Sequence, residues 1–152
     1  MIEPKPRFLK DKITLKSYWF KTFSFPDFTK LYKIFYGKNK KIGNKRVKSF
    51  EKGFITDYLT PAGFAYWIMC DGSLQNNGKT LQLHSQSFTF EENQQLSDEL
   101  NQKFKLHSYV IPHKTIYYII EIPNRDYQLL YELVNQFMIP SLMYKIVKNN
   151  NA

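Results

Sequence analysis

One cysteine, Cys70, occurs in 152 residues, which excludes an internal disulfide and any cysteine-built zinc site. A reducing interior, cytosol or organelle matrix, is the simplest setting. Acidic residues are scarce as well: 13 Asp and Glu stand against 22 Lys and Arg, for a formal charge of +9. Such an imbalance favours a polyanionic partner, either a nucleic acid or an acidic membrane surface. No run approaches the roughly 20 apolar residues of a membrane span. Residues 1–7 lack the apolar core of a secretory signal, and are too short and too poor in serine for a transit peptide. The length suits one domain with a real core rather than two large ones. What the chain does have is aromatic residues, with 11 Tyr and 13 Phe. Together with many Lys, Asn and Ile these suggest AT-rich coding, so part of the basic charge reflects codon usage as well as binding.

Periodicity predicts a strand over residues 13–20 and a helix over 26–36, the latter from Phe28, Leu31, Tyr32 and Phe35 at helical spacing. A basic stretch follows, with Lys38, Lys40, Lys41, Lys45, Arg46 and Lys48. It reads either as a solvated linker or as a set of salt-sensitive phosphate contacts. Pro61 then opens a nearly uninterrupted apolar helix, in the first turn where its missing N–H is not needed. Phe64, Ala65, Trp67, Ile68 and Met69 leave almost no polar face, so burial on several sides is expected. Ala62, Gly63 and Ala65 are small enough for a second helix to approach closely. The helix ends on Asp71, and Gly72 is expected to take a positive φ at a sharp exit. A carboxylate at the foot of a buried helix pair is expensive to place for packing alone, which makes Asp71 a candidate metal ligand; a solvated helix-end acid is the plainer alternative.

Past Gly72 a short strand and an Asn76-Asn77-Gly78 turn lead into residues 79–86. There Leu81 and Leu83 point one way, and Gln82, His84 and Gln86 the other. Thr89 is placed to cap a helix over 90–104, ahead of Glu91 and Glu92. Residues 107–113 and 116–122 form a strand pair, and a last helix covers 125–137. His84, His107 and His113 have neither the spacing nor the companions of a metal site.

The stretch Phe64-Ala65-Tyr66-Trp67-Ile68-Met69-Cys70-Asp71-Gly72 resembles the nine-residue motif of LAGLIDADG homing endonucleases. Tyr58-Leu59-Thr60-Pro61 before it, Ser85-Gln86-Ser87-Phe88-Thr89-Phe90-Glu91-Glu92 after it and Ile139-Pro140-Ser141-Leu142-Met143-Tyr144-Lys145 near the end resemble organellar intron-encoded members. The likeness covers residues 13–145. It implies an α+β fold: an αββαββα repeat whose antiparallel, saddle-shaped sheet carries helices on one face. On this reading residues 59–147 are one complete repeat and 148–152 a tail. Residues 1–36 are the final strand and helix of an incomplete first repeat, and 37–58 the basic linker. The chain then corresponds to the C-terminal part of a two-motif protein. The lone motif helix calls for a second one, since each large apolar side chain left in water forgoes about 1.5–3 kcal/mol. A second polypeptide carrying the other half is the expected partner, against Ala62, Gly63, Ala65, Tyr66 and Met69.

The resemblance also implies chemistry. Acids at the ends of paired motif helices bind divalent metal at the scissile phosphates, so Asp71, with Gly72 beside it, is the expected metal site, and Mg2+ the expected ion. Lys145 falls where a basic residue reaches the active-site pocket and stabilises phosphate charge; Lys41 is its candidate counterpart from the other repeat. Cys70 stands where related members often have a second acid. A sheet lying in a major groove places Gln82, His84 and Gln86 at bases, with Lys79, Lys114, Lys40, Lys45 and Arg46 at bases or phosphates. An ordinary wet sheet face is the alternative. Two functions follow: half of a split endonuclease making Mg2+-dependent double-strand cuts in DNA, or a non-cleaving relative that binds structured RNA, as a maturase or ribonucleoprotein component. AT-rich coding leans towards a mitochondrion or another organelle, and of the two polyanionic partners the resemblance selects nucleic acid, with no membrane partner expected.

Overall fold

The computed structural model describes residues 4–10, 13–19, 21, 23–36, 41–42, 45–46 and 48–147. It opens with an antiparallel pair, β1 (Lys5–Phe8) and β2 (Leu15–Trp19), followed by helix α1 (Pro26–Tyr36). The sequence reading had one strand here rather than two. β1 contains Pro6 and only four residues, so it has no periodicity of its own and exists through pairing with β2. Residues 41–42 and 45–46 form a minimal hairpin, β3 and β4. The stretch expected as linker also ends in a helix, α2 (Phe54–Tyr58), which is part of the packed body.

Helix α3 (Pro61–Asp71) is the predicted apolar helix. Thr60 caps it by accepting a hydrogen bond from Gly63 N at 3.1 Å. Strands β5 (Gly72–Leu74), β6 (Leu81–Leu83), β7 (Tyr109–His113) and β8 (Tyr117–Ile122) make one antiparallel sheet in the order β5-β6-β8-β7. Between β6 and β7 runs α4 (Phe90–Phe104), started by a full capping box in which Thr89 and Glu92 each bond the other's backbone N–H. Helix α5 (Tyr127–Val134) sits between single-turn pieces at 124–126 and 135–137, and a final tight turn spans Pro140–Lys145. From α3 onward the order is αββαββα.

The inward sheet face carries Leu81, Leu83, Ile120 and Ile122. These pack with Phe64 and Ile68 of α3, Leu96 and Leu100 of α4, and Leu130 and Val134 of α5. Phe64 and Phe104 stack with ring centroids 5.3 Å apart. The piece before residue 37 behaves differently. Neither strand of its hairpin nor α1 buries a residue, and Phe8, Leu15, Tyr18, Phe28, Leu31 and Tyr32 are all exposed. It meets the body at the end of α1, where Phe35 packs edge-on against Phe54 and its carbonyl accepts from Ser49 N at 2.9 Å. Among the described residues no helix is long and apolar enough to cross a membrane.

Candidate nucleic-acid interface and acidic helix end

Helix α3 runs straight into β5 at Asp71–Gly72. Gly72 has φ −82° and ψ 147°, so the expected positive φ is not there: the chain passes from helix to strand without reversing. The reason for glycine is proximity. A Cβ at Gly72 would lie 2.5 Å from the Ile68 carbonyl oxygen and 2.9 Å from Ile68 Cγ2. Hydrogen lets the chain leave the helix pressed against its own last turn.

That exit gathers several of the predicted groups. Asp71 presents its side chain to solvent, while its carbonyl accepts from His84 N at 2.9 Å. Lys145 Nζ donates to the Gly72 carbonyl at 3.0 Å and reaches the Cys70 carbonyl at 3.5 Å. An ammonium at these last carbonyls complements the negative end of the helix dipole, and it sets a cation directly beside Asp71. Gly72, expected at the metal site, offers its carbonyl to Lys145 on one lone pair. Beside Asp71 a cavity of about 290 Å3 opens, lined by Trp67, His84, Phe50, Phe54, Leu59 and Phe88 among others.

Of the residues expected to meet a second helix, two face the other way. Ala65 and Met69 are buried in the chain's own core, with Met69 Sδ accepting from Ile139 N at 3.4 Å. They share one face of α3 with Phe64 and Ile68, since residues four apart align on a helix. The sequence could not show this, because the helix is apolar all round and its side towards α5 is set by tertiary packing. The open stripe consists of Ala62 and Gly63, half-buried, then Tyr66, 59% exposed, and Cys70. Asp71 follows Cys70 in the chain but lies beside this stripe, in line with Trp67 and Ile68, and shares the cavity wall with Trp67.

The sheet's other face is mixed, with polar groups at one end and buried Ile119 opposite Ile111 further along, and strand register arranges it in rows. Ser73, Gln82, Glu121 and Tyr109 lie opposite one another across all four strands. Gln82 Nε2 donates to Glu121 Oε2 at 2.9 Å, and Tyr109 OH donates to Glu121 Oε1. This bond raises the Tyr109 phenol above the usual tyrosine range, and burial adds to the effect. Further along, His84 Nε2 lies 2.8 Å from Ser73 Oγ, His84 Nδ1 lies 3.2 Å from Gln86 Nε2, and the His84 ring meets that of His113 at 5.7 Å. Burial holds the His84 imidazole below its ordinary pKa; His113 and Lys145 act the same way, and Asp71 opposes them. The loop bearing His84 and Gln86 is pinned by buried Asn93, which donates to the carbonyls of Phe88 and Thr89.

Asp71, Gly72, His84, Gln86, Lys145 and Gln82 are therefore brought to one end and one face of the sheet. Lys79 and Lys114 stand apart on the two hairpin tips, next to the positive-φ Gly78 and with a positive φ at Lys114 itself. Lys41, Lys45 and Arg46 are placed as backbone in β3 and β4, and Lys40 lies outside the described residues. Sequence reasoning passed over Glu121, Tyr109 and Ser73. A signal for Glu121 was available: it is the single charged residue of the strand Tyr117–Ile122, opposite in parity to buried Ile120 and Ile122.

Residues 3–130 match the LAGLIDADG DNA endonuclease family. The chain is 39% identical over 132 residues to "Probable intron-encoded DNA endonuclease 3" of Mycosarcoma maydis, covering 87% of this chain and 94% of that protein. It is 29% identical over 129 residues to "Cytochrome b mRNA maturase bI2" of Saccharomyces cerevisiae, covering 84% of this chain but 30% of the relative. Among solved structures, "The homing endonuclease I-WcaI bound to its DNA recognition sequence" superposes with a TM-score of 0.73 at 32% identity, over 98% of this chain and 65% of the other. The share spanned thus ranges from nearly a whole relative to less than a third of one. The nine-residue motif, the fold built round it and these matches together place the chain in the LAGLIDADG DNA endonuclease family.

Proposed function

We propose that this chain is the DNA-binding and acid-bearing portion of a two-helix endonuclease that makes Mg2+-dependent double-strand cuts. The carrying observation is the foot of α3, where the exposed Asp71 carboxylate ends the motif helix beside the sheet face that bears Gln82, His84 and Glu121. The solved relative bound to its DNA recognition sequence supports duplex DNA as the ligand.

The donor set accommodates a metal ion as half of a site. Among the described residues no three His, Cys, Asp or Glu converge, but Mg2+ is commonly held by one or two carboxylates together with phosphate oxygens and water. Asp71 would hold it, with a second acid from the partner helix. When bound, the ion would supply Lewis-acid polarisation of the phosphate and a more acidic water. The chain's own groups do the rest. Lys145, anchored on the Gly72 carbonyl, offers a cation to phosphate charge as it develops. The sheet face lies along the groove, and Lys79 and Lys114 on the hairpin tips reach for phosphates at its margins.

The partner is a second polypeptide bearing another acid-ended helix. It would cover Ala62, Gly63, Tyr66 and Cys70 and give β1, β2 and α1 a sheet to complete. An organelle is the proposed compartment, supported by intron-encoded relatives. The likeness to a cytochrome b mRNA maturase supports a second reading, in which the same face binds structured RNA without cutting.

The test is to isolate the native complex at low salt and identify what accompanies the chain. A companion with its own acid-ended helix, and Mg2+-dependent cutting abolished by Asp71→Asn with binding retained, bears out the endonuclease. Co-purifying structured RNA with no cutting by wild type overturns it in favour of the RNA reading.

A further inference from the structure

Acid is out of place on a face offered to a polyanion, yet Glu121 stands on the inner strand β8, in the row that crosses all four strands. Its carboxylate would repel a phosphate, so what meets the protein there is a base edge rather than the backbone. As a carboxylate, Glu121 only accepts hydrogen bonds, so the neighbours that face it must donate. Tyr109 OH takes one oxygen and Gln82 Nε2, 2.9 Å away, takes the other. This removes the usual ambiguity of a glutamine amide: the nitrogen faces Glu121, and the oxygen cannot.

Resting on the reading of this face as a duplex-DNA contact, we propose that Gln82 is a specificity-determining residue that reads adenine in the major groove, with Glu121 and Tyr109 as its positioning residues. One Nε2 hydrogen is held by Glu121. We place that contact on the hydrogen pointing away from Oε1, which leaves the other hydrogen and Oε1 side by side as a donor–acceptor edge. Adenine presents the complement, an N7 acceptor next to an N6 donor. Guanine presents two acceptors, so Oε1 would oppose O6. Cytosine and thymine each offer a single polar group there, leaving half of the Gln82 edge unpaired. Without Glu121 the amide turns freely and the discrimination relaxes, although Gln82 is still present. Tyr109 acts one step further out: its phenol, raised above the ordinary range by the same carboxylate, stays a donor and keeps Glu121 from swinging away.

The experiment is selection of bound duplexes from a randomised double-stranded DNA library. It uses the full chain with any companion that co-purifies, and no divalent metal so that nothing is cut. Wild type is compared with Gln82→Ala, Glu121→Ala and Tyr109→Phe, each first shown to melt like wild type. The expected result is an adenine-enriched position whose preference falls about tenfold or more in both Gln82→Ala and Glu121→Ala, and less in Tyr109→Phe, with other positions unchanged. Three results overturn the proposal: a preference that survives Gln82→Ala, one lost in Gln82→Ala but untouched by Glu121→Ala, or a cytosine at the affected position, which would make Glu121 itself the reader. If wild type enriches no sequence at all, the DNA-binding reading of the face fails first, and this inference falls with it.

Discussion

Glu99 offers a sharp test of how the body of the protein is held. It lies on α4, 5% exposed, and its carboxylate is directed at the start of α2. Oε1 accepts from Gly53 N at 2.7 Å and from Gln95 Nε2 at 3.0 Å, and Oε2 accepts from Ile55 N at 2.7 Å. One turn on, Lys103 Nζ donates to the carbonyls of Ile55 and Thr56 at 3.1 and 2.6 Å. A five-residue helix cannot sustain itself, so these contacts and buried Ile55 are what keep α2 folded. Glu99→Ala strands two backbone donors, at about 1–3 kcal/mol each, and is offset by no longer having to bury a carboxylate. The net loss should be about 3 kcal/mol. For a chain of this size that lowers Tm by roughly 6–12 °C, read by circular dichroism. Glu99→Gln keeps one acceptor oxygen but turns an amide N–H2 on a backbone donor, and should cost about half as much. A loss under about 1 kcal/mol in Glu99→Ala, or alanine and glutamine variants of equal stability, would refute the clamp.

Gly72→Ala should destabilise by about 1–3 kcal/mol, because its Cβ has no room against Ile68; urea unfolding measures this, and a neutral change would show that the close approach is dispensable. Cys70 should react stoichiometrically with a thiol reagent in the isolated chain and become protected when a partner helix docks, whereas unchanged labelling in the complex would place the partner elsewhere. Tyr109 should form phenolate above the ordinary value of about 10, seen as the titration difference between wild type and Tyr109→Phe, and Glu121→Gln should reduce the shift. The sign for folding follows: the folded state favours the protonated phenol, so this contribution is complete below the ordinary value and is lost as pH rises through the raised value of the folded protein.

Much of this was legible from local pattern. The apolar run after Pro61, the Thr89 cap and the Asn76-Asn77-Gly78 turn each specify structure within a few residues, and they sit where expected. The features that escaped depend on distant partners. α2 needs a carboxylate 46 residues downstream, and the Gln82–Glu121 bond spans 39. Sequence spacing does not encode such register, and it appears only when β6 lies beside β8. The inward turn of Ala65 and Met69 is the same lesson on a helix that is hydrophobic on every side. Asp71 and Lys145 were readable as candidates, but that the lysine rests on the glycine carbonyl was not.

The exposed aromatic residues of β1, β2 and α1 bear on how this chain is kept in a cell. Among the described residues this two-stranded ribbon pairs with no third strand and its helix turns an apolar side to water, an arrangement that invites unwanted strand addition and proteolysis. If the proposed partner half covers this piece, a chain that outnumbers it would be cleared or would precipitate, and folding itself rather than matched synthesis would balance the two.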